Sequence, residues 1–149
     1  MRHRLRVSGA MVGMLAAWTL TSGAAVLPYG IQGGEVQVAV TYKGKGVVDA
    51  EHEIRVFLFD HPSPGESSTP LAMQPITKNG GSVTFKGVTA DPVYISVVYD
   101  EASNYEGDAP PPPGAPIGSY AKAGKPVAVK PGPDAKVAVT FDDARRWGK

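Results

Sequence analysis

The stretch GSVTFKGVTADPVYISVVYD, residues 81–100, contains two runs in which every second side chain is apolar. Val83 and Phe85 alternate with Ser82, Thr84 and Lys86, and Val93, Ile95, Val97 and Tyr99 repeat at the same spacing. Successive Cβ atoms of an extended chain point to opposite sides, so this period of two places each set on one face of a strand. Pro92 stands at the mouth of the second run, where a missing N–H does least harm to a ladder. KNGG, residues 78–81, comes just before the first run and predicts a hairpin turn, since glycine and asparagine tolerate the positive φ such turns need.

The same pattern extends in both directions. Upstream, Val36, Val38, Val40 and Tyr42 alternate with Glu35, Gln37, Ala39 and Thr41, a strand with one wet face. Ile54, Val56 and Leu58 line one side of the next run while Phe57 and Phe59 occupy the other, which predicts a strand covered on both faces. Downstream, Val127 to Val129 form a short run, and Val137, Val139 and Phe141 follow the turn KPGPD, residues 130–134. Beyond Tyr29 no stretch keeps a helical apolar period, and most of the chain's 14 prolines and 18 glycines lie between the runs. The expected fold is all-β: an antiparallel β-sandwich of about seven strands, transthyretin-like or Ig-like, preceded by an N-terminal signal helix.

Residues 1–25 read as a secretory signal peptide, with Arg2, Arg4 and Arg6 ahead of an apolar stretch and small residues from Ser22 to Ala25 at its end. The expected organisation is this leader, a linker over 26–33, the sandwich over 34–143 and a C-terminal tail over 144–149. An uncleaved segment over 7–27 would be long enough to enter a bilayer, and that is the one route to a membrane. Of 15 Lys and Arg, three lie in the leader, leaving 12 against 14 acidic residues, so the processed chain carries a net charge of −2. With no basic stripe left, nucleic acid is not an expected partner. There is no cysteine. Thiol nucleophiles, cysteine zinc sites and iron–sulfur clusters are therefore excluded, and stability has to come from packing in a periplasmic or extracellular setting.

GEVQVAVTYKGKG, IRVFLFD and the opening stretch together resemble the transthyretin-like or carboxypeptidase-regulatory-like sandwiches of bacterial exported proteins. The resemblance rests on Phe85, Gly87 and Val88 followed by Tyr94, Ser96 and Val98. It implies the sandwich fold, and sandwiches of this kind serve as binding, spacer and occasionally catalytic units. That family also includes hydroxyisourate hydrolases with a C-terminal Tyr-Arg-Gly-Ser element, whereas this chain ends FDDARRWGK.

Asp100, Glu101, Asn104, Glu106 and Asp108 lie within nine residues and form a calcium-type oxygen set, with Asp142 and Asp143 able to join them if strand directions allow. The spacing is not that of an EF-hand, and the alternative is a solvated acidic loop. No cofactor other than calcium is suggested. Pro110 to Pro113 read as a stiff strap holding the long loop across a sheet edge. His52 and His61 carry no spaced motif and are expected at the surface, and the tail with Arg145, Arg146, Trp147 and Lys149 is expected to fray.

The expected function is a non-catalytic exported module that binds or spaces protein or cell-envelope components through two long loops, residues 60–69 and 100–119. The alternatives are a small transthyretin-like hydrolase and a calcium-stabilised structural module. Mass spectrometry of the exported protein is expected to find its N-terminus near Ala25 or Val26; an intact Met1 would overturn the leader assignment.

Overall fold

The computed structural model describes residues 33–149; the leader and nearly all of the linker lie outside them. The described residues are all-β, with nine strands and no helix. In chain order the strands are β1 (Gly34–Tyr42), β2 (Ile54–Phe59), β3 (Ala72–Ile76), β4 (Ser82–Val88), β5 (Tyr94–Tyr99), β6 (Ile117–Ser119), β7 (Ala121–Lys122), β8 (Lys125–Pro126) and β9 (Lys136–Phe141).

They form a three-stranded sheet ordered β4-β1-β9, a four-stranded sheet ordered β3-β2-β5-β6 and a small hairpin of β7 and β8. Every pairing is antiparallel except β1 with β9, which is parallel. That pairing sets Val38, Val40 and Tyr42 beside Val137, Val139 and Phe141, so the two apolar rows share a face.

Alternation in the sequence becomes alternation in burial. Val36, Val38, Val40 and Tyr42 are buried, whereas Glu35, Ala39 and Thr41 are exposed. One core cluster takes these side chains, with Phe85, Val139 and Phe141, from the three-stranded sheet, and Ile54, Val56, Leu58, Ile95 and Val97 from the four-stranded one. Fully burying each such side chain is worth about 1.5–3 kcal/mol, so the shared core is the main source of stability in a chain without disulfides.

Two local expectations need correction. KNGG does not close a hairpin, because β3 and β4 belong to different sheets and the turn carries the chain from one to the other. Gly80 has the expected positive φ of 76°. The Asn79 carboxamide pairs with Tyr42 like a strand residue, accepting from its N–H at 2.8 Å and donating to its C=O at 2.7 Å. Val127 to Val129 make no strand, only an isolated bridge from Val129 to Val93. In contrast β3 is a strand that its proline concealed: Pro75 sits opposite Arg55 on an edge strand, where its missing N–H breaks no ladder.

Gly87, part of the Phe85-Gly87-Val88 motif, adopts φ 68° inside β4. There the register moves from Gly34 opposite Val88 to Val36 opposite Phe85, so β4 holds one extra residue, a bulge that bends the strand.

Leu58 is fully buried in the core and Leu71 is 47% exposed. In urea denaturation, Leu58→Ala should lower stability by about 2–5 kcal/mol. Leu71→Ala should change it by less than about 0.5 kcal/mol.

Candidate functional site

The apolar residues of β2 that point away from the shared core must also be covered. Phe57 and Phe59, with Val98 of β5, Tyr105 and Ala115, form a second buried cluster against which Met73 and Ile117 pack. Its cover is the segment after β5, which folds back over the outer face of the four-stranded sheet.

Asp100 starts that fold. It is the one buried charged residue among those described, at 5% exposure. Its two carboxylate oxygens accept the N–H groups of Asn104 at 3.1 Å and Tyr105 at 3.0 Å, while its own N–H donates to the Glu53 carbonyl. The turn delivers the Tyr105 ring to Phe57, centroids 6.1 Å apart, and the Tyr105 hydroxyl donates to the Ala109 carbonyl. Burial pushes that hydroxyl's pKa up to about 12, against the opposing charge of Arg55. Gly107 then passes over the sheet with φ 87°, and a Cβ there would stand 3.0 Å from the Met73 methyl, so glycine answers both the backbone angle and the space.

The oxygen-bearing side chains of this loop do not converge. The Asp100 carboxylate caps the turn, and Asn104, Glu106 and Asp108 are exposed along the loop. Among the described residues no three His, Cys, Asp or Glu side chains stand together as a metal-holding group. Glu101 and Asp143 do come to the same end of the domain, and the cation between them is Arg146. Its Nη1 lies 2.8 Å from Glu101 Oε2 and donates to the Gly114 carbonyl at 2.7 Å, and its Nη2 lies 3.4 Å from Asp143 Oδ1.

The tail that carries Arg146 is not frayed. Gly114 N–H donates to the Trp147 carbonyl, Trp147 N–H to Ala115 and Ile117 N–H to Arg145, with Pro116 and Arg146 bridged antiparallel. These ladder bonds and the guanidinium's two carboxylate partners hold the tail beside β6, which no composition rule reveals.

Between the two long loops a cavity of about 540 Å³ opens on this outer face. Phe57, Phe59, Ser96 and Val98 lie at its base, residues 62–70 form one wall, and residues 107–111 with Arg145 and Trp147 form others. Pro110 and Pro111 therefore stiffen a wall of the cavity. The size falls in the usual range for small-molecule sites, roughly 300–1,000 Å³.

The two histidines lie in different surroundings. His52 Nδ1 is 3.0 Å from Asp49 Oδ1, which also accepts the N–H groups of Glu51 and His52 and so organises a surface turn. His61 is joined on both sides: Nδ1 is 2.6 Å from Asp60 Oδ1 and Nε2 is 3.0 Å from Ser68 Oγ. Ser68 and Gly65, whose N–H donates to Ser68 Oγ at 2.8 Å, both line the cavity. Sequence inspection missed this arrangement, because an Asp-His pair followed at irregular spacing by a serine in a Pro- and Gly-containing loop matches no motif.

No protein-family model, curated protein or solved structure matches this chain.

Asp143 accepts a hydrogen bond from the Tyr42 hydroxyl and a second from Lys45 N–H at 3.0 Å. The Tyr42 bond first, then the Lys45 bond and the charge of Arg146, hold the Asp143 carboxyl below the usual carboxylate range. A carboxyl depressed in the folded state contributes stability that is complete above its unfolded value of about 3.9 and lost as the pH falls through its folded value. In an NMR titration, Tyr42→Phe should move the Asp143 midpoint up towards about 3.9. An unchanged midpoint would mean that the hydroxyl does not set it.

Proposed function

We propose that the two sheets close face to face as a transthyretin-like β-sandwich and that the domain is an exported binding module. Its ligand is an envelope or extracellular component presenting a small amphipathic group, and the cavity between the two long loops is its seat. The fold reading is supported by the single core cluster that takes side chains from both sheets and by the sequence motif around Gly87. The export reading is supported by the leader pattern of residues 1–25.

The observation that carries the binding reading is a cavity of about 540 Å³ with the edges of Phe57, Phe59 and Val98 at its base and Ser96 and Ser119 beside them. Ser96 and Ser119 are directly paired neighbours on β5 and β6, and Phe57 is paired with Ser96 across β2 and β5. Apolar surface therefore meets two adjacent hydroxyls in one row, which suits a ligand with a greasy body and a hydrogen-bonding edge. Rigid proline-bearing walls limit the ordering entropy that binding would otherwise cost.

Trp147 borders the cavity and is the sole tryptophan once the leader with Trp18 is removed, so its fluorescence reports on the site. N-Phenyl-1-naphthylamine, used as an uncharged amphipathic probe, should quench Trp147 with saturation. Ser96→Phe, which fills the base of the cavity, should weaken that binding by about tenfold or more while near-UV circular dichroism stays native. Equal binding by the filled variant would defeat the reading.

A further inference from the structure

We infer that Ser68 is an activated nucleophile and that residues 60–68 form a serine-type acyl-hydrolase centre acting on small uncharged carboxylic esters held in the adjoining cavity. This goes beyond the binding role, in which the same loop is only a wall, and it replaces the expectation of a non-catalytic module.

The inference rests on three groups in the required order. A serine nucleophile needs a base within hydrogen-bond reach, and the base needs a third group to fix its tautomer. His61 Nε2 stands 3.0 Å from Ser68 Oγ, and His61 Nδ1 stands 2.6 Å from Asp60 Oδ1. An ionised carboxylate can only accept, so the proton of neutral His61 sits on Nδ1 and Nε2 offers its lone pair. The hydrogen bond from His61 holds Asp60 below the ordinary carboxylate range, which keeps it an acceptor. Ser68 is oriented from its other side: Gly65 N–H donates to Oγ at 2.8 Å, which leaves the hydroxyl hydrogen free to point at His61 Nε2. The His61 ring is steadied by an edge contact with Phe59, centroids 5.7 Å apart.

The surroundings select the substrate class. Ser68 opens on a cavity based on Phe57 and Phe59, which suits an apolar acyl or alcohol group. Glu66 and Asp108 on the walls place two carboxylates against the single guanidinium of Arg145, which disfavours an anionic substrate. The centre is half-exposed, so water reaches it for the second half of the reaction.

In the first step Ser68 Oγ bonds to the ester carbonyl carbon as its proton passes to His61 Nε2, and the carbonyl π pair moves to oxygen. Collapse of that intermediate breaks the bond to the alkoxy oxygen, which leaves as the alcohol with the proton from His61. Water then attacks the acyl-Ser68 ester, giving its proton to His61, and the acid departs as Ser68 Oγ recovers the proton. Asp60 stays ionised throughout and is a positioning residue.

The test uses the processed exported protein and diisopropyl fluorophosphate, which forms a P–O bond with an activated serine as fluoride leaves. Peptide mass spectrometry should place the adduct on Ser68 and not on Ser63 or Ser67 of the same loop. His61→Gln should slow labelling by at least about 100-fold, the usual contribution of a general base. Asp60→Asn should slow it as well, and Asp60→Glu should restore part of the rate. No adduct on Ser68, or labelling no faster than at Ser63 and Ser67, overturns the inference even if a variant fails to fold, because that comparison is made within the unaltered protein. Selective labelling of Ser68 in an unaltered protein that fails to bind the dye would overturn the binding role and leave this centre standing.

Discussion

β2 is apolar on both faces, and most of the domain's architecture answers that constraint. One row, Ile54, Val56 and Leu58, enters the core shared by the two sheets. The other row, Phe57 and Phe59, would face water on a bare sheet, and exposing two phenyl groups would forfeit several kcal/mol of burial. The chain covers them with its longest connection, which leaves Phe57 and Phe59 no more than 7% exposed. Tyr105 and Ala115 pack on the aromatic pair, and the small edge of Phe57 and Phe59 left open lies at the base of the cavity. Site and fold thus share one cause.

Two polar devices hold that cover in place. Asp100 ends β5 by turning its carboxylate onto the next loop's own N–H groups, so a buried charge is satisfied by backbone donors. Arg146 reaches from the other end of the chain to Glu101 and Asp143 and also binds the Gly114 carbonyl. Of the acidic loop that composition alone makes look like a cation site, Glu101 is thereby paired with the protein's own guanidinium. The planar, multiply donating head of arginine can serve two carboxylates and a carbonyl at once, which a lysine could not do with comparable geometry.

The opposite wall of the cavity is organised by the hydrogen-bonded chain from Asp60 through His61 to Ser68 and back to Gly65. A loop containing Pro62, Pro64 and Gly65 has little regular backbone pairing available, and side-chain bonds take over that task. The bonds that close such a loop are also the ones that polarise a serine. Loop closure and the inferred nucleophile activation use the same imidazole.

By itself the sequence determined the all-β class, the inward rows of β1, β2, β5 and β9, and the two-sided burial of β2, because alternation and composition act locally and a strand's faces follow from a period of two. It left β3 hidden behind Pro75, suggested a hairpin at KNGG, and showed the Asp100–Asp108 carboxylates only as a composition. Which sheet each strand joins, the parallel pairing of β1 with β9, the capture of Glu101 by Arg146, and the placing of the Ser68 loop beside the outer face of β2 were decided by tertiary structure alone. Each depends on contacts between segments whose separation along the chain carries no periodic signal, and only closure of the sheets over a common core brings those segments together.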